Sequence, residues 1–168
     1  GKKADLVLLE NHGLFVAGDS LEEIKRLMDG VISAIGSVIQ NKPDLTPVDV
    51  GEGAKEIEKQ LTSAIGKDAA TVLAFNNAEI SRLIATKDAF KAVSYAFTPD
   101  HMVYYKHTPL YVEQGSEITA SVERYKLKFG FLPKVVAVQG IGMFACGADE
   151  KQAKIVKLLF IDAVKIAV

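Results

Sequence analysis

One pattern occurs twice in this chain, as VLLENHGLFVAG at residues 7–18 and as VAVQGIGMFACG at residues 136–147. In each stretch an apolar run enters a glycine turn and a second apolar run leaves it. The offset between the copies is constant, because Gly13 corresponds to Gly142 and Gly18 corresponds to Gly147. Apolar runs on both sides of a short glycine turn predict a β-hairpin. The sequence therefore predicts that the same hairpin is built twice.

A helix start signal follows each hairpin at the same distance. Ser20 and Glu23 have the spacing of a capping box, in which the two side chains accept hydrogen bonds from backbone amides, and Asp149 and Gln152 hold the equivalent places. Apolar residues then recur at the i, i+3, i+4, i+7 spacing of one helix face. They are Ile24, Leu27, Met28, Val31, Ile32 and Ile35 in the first copy, and Ala153, Val156, Phe160, Ile161 and Val164 in the second. The predicted repeat is strand–turn–strand–helix.

The segment between the copies predicts further helices and strands. Residues 41–48 (NKPDLTPV) have the proline spacing of a linker. Helices are expected at 52–65, 77–85, 87–96 and 117–129, strands or extended segments at 71–75 and 108–113, and a turn at 98–100. The glycine turns are too short for parallel crossovers, so the sheet should be largely antiparallel. The predicted fold class is mixed α/β, with a largely antiparallel sheet flanked by helices.

Composition excludes several classes of function. The 168 residues are 49% hydrophobic with a net charge of −1, which disfavours nucleic acid or an anionic membrane as the main partner. No apolar run approaches the ~20 residues that span a bilayer. Cys146 is the only cysteine, which fits a reducing compartment such as the cytoplasm. Because the chain opens on Gly1 and reaches an apolar strand by Leu6, we expect it to be a piece of a longer protein.

A dinucleotide-binding hypothesis rests on residues 140–145, GIGMFA, which match G-x-G-x-x-A after an apolar run. In such a fingerprint a helix begins within the glycines and its N-terminus meets the pyrophosphate. Here an apolar run follows, and the helix signal comes only at Asp149. A nucleotide-binding dehydrogenase segment is therefore disfavoured, and no cofactor-binding residue is assigned.

The three histidines are the candidate metal ligands. A catalytic zinc takes about three protein ligands. His101 and His107 would lie about 20 Å apart if the segment between them were extended at ~3.3 Å per residue, too far to share a metal. His12 lies in a turn at the end of a strand, where it is either a metal ligand or a polar turn residue bonded to backbone. Thr98, His101 and His107 are also candidates for holding a phosphorylated or carboxylated ligand.

Residues 8–20 (LLENHGLFVAGDS), followed by an amphipathic helix, resemble the class II aldolase/adducin family. The resemblance implies that His12 is one of three histidines that hold a divalent metal, usually zinc. The family's other two metal histidines form an H-x-H pair upstream, and no H-x-H occurs in this sequence. Ile141 occupies the position of His12 in the second copy.

Residues 97–112 and 134–147 resemble the middle region of bacterial fusion proteins. Those proteins join a class II aldolase of the rhamnulose-1-phosphate type to a C-terminal short-chain alcohol dehydrogenase. The resemblance implies that residues 1–40 are the C-terminal part of an aldolase-like domain, that 41–70 are a linker and helix, and that 71–168 are a second, aldolase-like half.

The resemblance also implies a function for the parent protein. The parent would cleave a ketose 1-phosphate such as rhamnulose 1-phosphate to dihydroxyacetone phosphate and an aldehyde, with a divalent metal polarising the ketone. This chain is expected to carry no catalytic residue and no bound cofactor, and to pack or dock within a homo-oligomer or against the rest of its parent. The alternative is a binding module for a phosphosugar or carboxylate at Thr98–His107.

Overall fold

The computed structural model describes residues 4–10 and 13–168. The chain forms two compact units, Gly1–Lys42 and Pro43–Val168. The candidate metal ligand His12 lies outside the described residues. None of the helices within the described ranges is long and apolar enough to cross a membrane.

The first unit is a hairpin followed by a helix. Strand β1 (Leu6–Leu9) pairs antiparallel with strand β2 (Gly13–Val16), and helix α1 (Leu21–Val38) follows. The Ser20 hydroxyl accepts a hydrogen bond from the Glu23 amide at 3.1 Å, which confirms the predicted cap. The return bond of the capping box is shifted by one residue, since the Glu23 carboxylate accepts from the Asp19 amide at 2.9 Å.

The apolar surface of the first unit is exposed. Every described residue from 4 to 42 is at least partly accessible, and Leu8 is 75% exposed. The first strand of the predicted hairpin is therefore present, but its apolar side chains are exposed and not buried. A two-stranded hairpin and one helix offer too little surface to bury their own apolar side chains.

The second unit is a four-stranded sheet with helices on both faces. Its elements are α2 (Ala54–Ile65), β3 (Thr71–Phe75), α3 (Ala78–Leu83), α4 (Lys87–Phe90), α5 (Pro99–Tyr105), β4 (Leu110–Val112), α6 (Ile118–Phe129), β5 (Val135–Val138), β6 (Gly142–Gly147) and α7 (Glu150–Ala167). The strand order is β3-β6-β5-β4; β6 is antiparallel to both neighbours, and β4 is parallel to β5. The prediction of a mixed α/β fold with a largely antiparallel sheet is confirmed.

The core occupies both faces of this sheet, with alternate side chains on opposite faces. Helices α3, α4, α5 and α7 cover one face, and α2 and α6 cover the other. The first face carries Val135, Ala137, Met143 and Ala145, and the second carries Val136, Val138, Phe144 and Cys146. Because both faces are buried, β5 and β6 read as continuous apolar runs instead of alternating ones.

The predicted repeat is confirmed in its element bounds and pairing. Strands β5 and β6 and helix α7 start at the positions equivalent to the starts of β1, β2 and α1, and α7 also ends at the position equivalent to the end of α1. The pairing register is the same, because Leu6 faces Val16 in the first copy and Val135 faces Ala145 in the second. The Asp149 carboxylate caps α7 by accepting from the Gln152 amide at 2.7 Å, as Ser20 caps α1. Local sequence thus specifies the same unit twice.

The two copies differ in what covers them. In the second unit, β3 pairs with residues 143–147 of β6, and α7 packs on β6 and β3. The helix position occupied by Val164 is fully buried there, whereas its equivalent in α1, Ile35, is 55% exposed. Burial is therefore a property of the neighbouring elements and not of the repeated unit itself.

Two sequence expectations fail between Lys87 and Tyr105. The segment after Thr98 is a helix and not an extended run, because Thr98 caps it and Pro99 occupies its first turn. The assumption of an extended chain from His101 to His107 is therefore wrong over most of its length. The expected helix at 87–96 is also shorter: α4 ends at Phe90 and a 3-10 turn, Lys91–Val93, follows it.

Gly147, which ends the second hairpin, lies against the backbone at the start of α7. We expect Gly147→Ala to be strongly destabilising. A Cβ there would lie 2.4 Å from the Ala153 amide nitrogen and 2.8 Å from the Asp149 carbonyl, both backbone atoms. The loss in unfolding free energy should reach about 3 kcal/mol.

The matched control for this prediction is Gly18→Ala at the equivalent place in the first copy. There a Cβ would meet only the movable Glu23 side chain at 3.1 Å. Urea denaturation should find a loss of no more than about 0.5 kcal/mol for this variant. Similar losses for the two variants would contradict the packing described for Gly147.

Candidate functional site

Helix α5 brings together two of the predicted ligand residues, Thr98 and His101. The Thr98 hydroxyl accepts a hydrogen bond from the His101 amide at 3.3 Å. The His101 side chain is 0% exposed, and its Nδ1 accepts from the Phe97 amide at 3.2 Å. A neutral imidazole that accepts at Nδ1 carries its proton on Nε2. The local cap thus fixes both the position and the tautomer of His101.

The Nε2 side of His101 faces helix α7. Nε2 lies 3.8 Å from Oδ2 of Asp162, and within the described ranges it has no hydrogen-bond partner. The ring of Tyr105 stacks at 5.1 Å between centroids, and its hydroxyl likewise has no partner among the described residues. Asp162 is half exposed. Two buried polar atoms therefore lie near a single carboxylate at the junction of α5 and α7.

Burial controls the ionisation of this group. It lowers the pKa of His101, against the attraction of Asp162 and Asp100 for the charged ring. Protonation of Nδ1 would also break the bond from the Phe97 amide, since an imidazolium cannot accept a hydrogen bond. Burial, with a further contribution from the Asp162 charge, raises the pKa of Tyr105. The geometry holds His101 neutral and Tyr105 protonated, which suits packing between two helices.

His107 belongs to a different cluster. Its ring lies 5.3 Å from each of the rings of Phe129 and Phe131, between centroids. These two phenylalanines also pack against Tyr125. His101 instead contacts the rings of Phe97 and Tyr105 and lies near Asp162, so the structure places the two histidines in different clusters.

A cavity of about 690 Å³ lies along the free edge of β4. We call it the β4 groove. Helix α4 with its following turn forms one wall and supplies Lys87 and Lys91, and helix α6 forms the other and supplies Arg124 and Lys128. The floor is apolar and aromatic, and it consists of Phe90, Pro109, Leu110, Tyr111, Tyr125 and Phe129.

Hydrogen bonds fix the aromatic floor of the β4 groove. The Tyr111 hydroxyl donates to the Ile84 carbonyl at 3.1 Å, and the Tyr125 hydroxyl donates to the Thr108 carbonyl. Burial raises the pKa of both phenols. The phenols of Tyr111 and Tyr125 are therefore anchored to backbone carbonyls.

The walls carry an excess of positive charge. Lys87 lies 3.6 Å from the Glu113 carboxylate, and Lys91 lies 2.7 Å from that of Asp88. Arg124 and Lys128 have no carboxylate within 4.0 Å among the described residues. Sequence reasoning missed these four cations. The sequence did contain a signal for them, since each wall contributes a pair of basic residues four positions apart. That the two pairs lie on opposite walls of one groove follows only from the fold.

The glycine turn of the second copy is filled by the chain itself. The Gly51 amide donates to the Ile141 carbonyl at 2.8 Å, and a Cβ on Gly142 would lie 3.2 Å from both the Phe75 carbonyl and a Val50 methyl. The glycines form the hairpin turn between the antiparallel strands β5 and β6, and α7 begins only at Glu150. The helix N-terminus that a dinucleotide fingerprint requires is therefore not at these glycines.

Metal-binding side chains are scattered over the part of the chain that the structure describes. Residues 4–10 and 13–168 contain no group of three or more His, Cys, Asp or Glu placed to hold a metal ion. Burial raises the pKa of Cys146 to about 12, so this thiol is a protonated core side chain.

Comparisons with known proteins identify no family for this chain. A scan against family models finds no match to the chain, and a search of curated proteins finds no significant match.

The buried state of His101 predicts a pH-dependent stability. Below pH 6.5, the ordinary pKa of histidine, the unfolded chain binds a proton that the folded ring does not take up. The free energy of unfolding should therefore fall as the pH decreases from about 6.5 through the lower pKa of the folded state. Urea denaturation between pH 7.5 and 5 measures this slope.

Two variants assign the slope to His101. His101→Phe keeps a ring at this position but cannot titrate, so it should flatten the dependence. Asp162→Asn removes the carboxylate that favours the charged ring and should steepen it. An unchanged slope in His101→Phe would refute the assignment.

Proposed function

We propose that this chain is part of a class II aldolase-like protein. The parent would cleave a ketose 1-phosphate such as rhamnulose 1-phosphate to dihydroxyacetone phosphate and an aldehyde. Within it, residues 71–168 would act as a packing, docking or oligomerising module and not as a catalytic one. The sequence resemblance suggests the family, and the geometry of the repeat supports the division of roles.

The filled turn of the second copy is the observation that carries this proposal. A catalytic zinc site needs about three protein ligands and an open position. In the second copy the relevant turn carries Ile141, and Val50 and Gly51 pack against it. This turn thus has neither an imidazole nor an open position. It keeps only the architecture of the unit, as expected for a scaffold.

The exposed first unit supports the proposal that further polypeptide belongs beside it. The repeated strand–turn–strand–helix unit is buried in the second copy by β3 and by helices on both faces of the sheet. In the first copy the equivalent apolar positions are accessible, since Ile35 is 55% exposed and its equivalent Val164 is fully buried. Burial of such a face stabilises it by roughly 25 cal/mol per Å². A parent domain that supplies the missing layers would recover this stabilisation.

A second candidate function is anion binding. Of the residues proposed for it from the sequence, Thr98 caps helix α5, His101 is buried, and His107 is packed against two phenylalanines. The β4 groove is open, and its walls hold Arg124 and Lys128 without carboxylate partners in the described ranges. The groove is therefore the better place for an anionic ligand.

Zinc binding and retro-aldol activity test the main proposal. One imidazole from His12 is too few for a stable site, so the purified chain should bind zinc more weakly than micromolar in isothermal titration calorimetry. It should also release no dihydroxyacetone phosphate from rhamnulose 1-phosphate in the presence of zinc. The control His12→Ala should behave like the unmodified chain in both assays.

The contradictory result is equally specific. Micromolar zinc binding together with retro-aldol activity, both lost in His12→Ala, would make this chain an enzyme in its own right. The division into a scaffold and a catalytic part would then be wrong.

A further inference from the structure

We propose that the β4 groove binds an extended acidic segment of a partner protein, which pairs as an added strand with the free edge of β4. This inference refines the second candidate function, anion binding, and does not depend on the aldolase proposal. Three features of the groove carry it: the direction of the β4 backbone, the helices on both sides of the edge, and the distribution of charge.

The backbone of β4 offers unpaired groups to the groove. The Val112 carbonyl accepts from the Gln139 amide at 3.0 Å, so the peptide groups of Val112 face β5. Successive residues of a strand direct their peptide groups to opposite sides. The N–H and C=O of Tyr111 therefore face away from β5, and no described residue is bonded to them. Tyr111 thus offers one donor and one acceptor to an added strand, whereas Pro109 has no N–H and the Glu113 carbonyl accepts from the Ser116 amide at 3.0 Å.

The two helices turn this edge into a channel for an extended chain. Phe90 of α4 packs on one face of the sheet and Val122 of α6 packs on the other, so β4 lies at the bottom between them. Strand addition to an exposed edge gains affinity from main-chain hydrogen bonds and specificity from alternate side chains. An added strand would point its side chains alternately at the two walls.

Charge determines which strand fits. One wall carries Lys87 and Lys91 and the other carries Arg124 and Lys128, so a carboxylate on an added strand would meet cations whichever wall it faces. Lys87 and Lys91 already have carboxylates nearby, in Glu113 and Asp88, so Arg124 and Lys128 should contribute most.

An extended chain fits this distribution better than a small anion. A small-ligand site has a few polar groups that converge on one point. Here the lysine side chains are largely exposed and divided between two walls, with Lys87 and Lys91 each 72% accessible. The aromatic hydroxyls of the floor are already bonded to backbone carbonyls. Because the cations are spread along both walls above the strand edge, they suit a polypeptide that carries several carboxylates along its length.

Binding of a model peptide tests the charge requirement. The probe is a fluorescein-labelled peptide of twelve residues with alternating Glu and Val, whose carboxylates all point to one wall, measured by fluorescence anisotropy at low salt. The double variant Arg124→Glu/Lys128→Glu should weaken its binding at least tenfold. Both side chains are exposed, so circular dichroism and thermal melting should be unchanged. Lys126→Glu, an exposed charge reversal on α6 outside the groove, should bind like the unmodified chain.

Backbone pairing needs its own measurement. Hydrogen exchange of the Tyr111 amide, followed by NMR, should slow when the peptide binds. N-methylation of peptide amides on the side that faces β4 should abolish binding, while methylation on the other side should be tolerated. Unchanged Tyr111 exchange in a saturated complex would overturn strand addition.

The remaining outcomes separate this inference from the functions proposed above. Failure of the Glu–Val peptide to bind, or equal binding of a Lys–Val peptide, would overturn it. If rhamnulose 1-phosphate or inorganic phosphate alone occupied the groove, anion binding would stand and the polypeptide ligand would be wrong. Dimerisation of the chain that the double variant abolishes would identify another molecule of this chain as the occupant, and would overturn an acidic partner. Zinc and retro-aldol assays bear on none of these results.

Discussion

The second unit depends on strand β6, which pairs antiparallel with β3 on one side and with β5 on the other. All six residues of β6 are buried, and the four between its terminal glycines supply both layers of the core. Helix α7 can cross β6 closely because Gly147 has no side chain at the point where the strand meets the helix. The remaining helices cover the two faces of the sheet. Strand β4 lies at the edge of the sheet, so it has a neighbouring strand on one side only.

Repetition of the same unit separates what local sequence specifies from what its surroundings supply. Caps, strand starts, pairing register and helix length recur at one constant offset along the chain. Burial does not recur, because only the second copy has β3 and two layers of helices. The glycine turns of the two copies also differ in the residue that could carry chemistry. His12 lies outside the described residues, while Ile141 is half-buried and bonded to the Gly51 amide. A shared fold element therefore need not carry shared chemistry.

The sequence predicted elements well where a local signal was strong. Strand β3 has the predicted bounds, and the repeat has the predicted caps. The sequence predicts a turn at 98–100, whereas Thr98 and Pro99 start helix α5, since a cap residue followed by proline suits a helix start as well as a turn. Sites were harder, since they depend on distant contacts. Asp162 lies on α7, far along the chain from His101. Helices α4 and α6 lie on opposite sides of β4 only because they pack on opposite faces of the sheet.

Residue-resolved amide hydrogen exchange of the whole chain tests the central claim, that one repeated unit is buried only in its second copy. The account predicts that amides of β5, β6 and α7 exchange only through global unfolding of Pro43–Val168. Amides at the equivalent positions of β1, β2 and α1 should exchange faster by at least 100-fold, since local opening there costs little burial. Equal protection of the two copies would contradict the account.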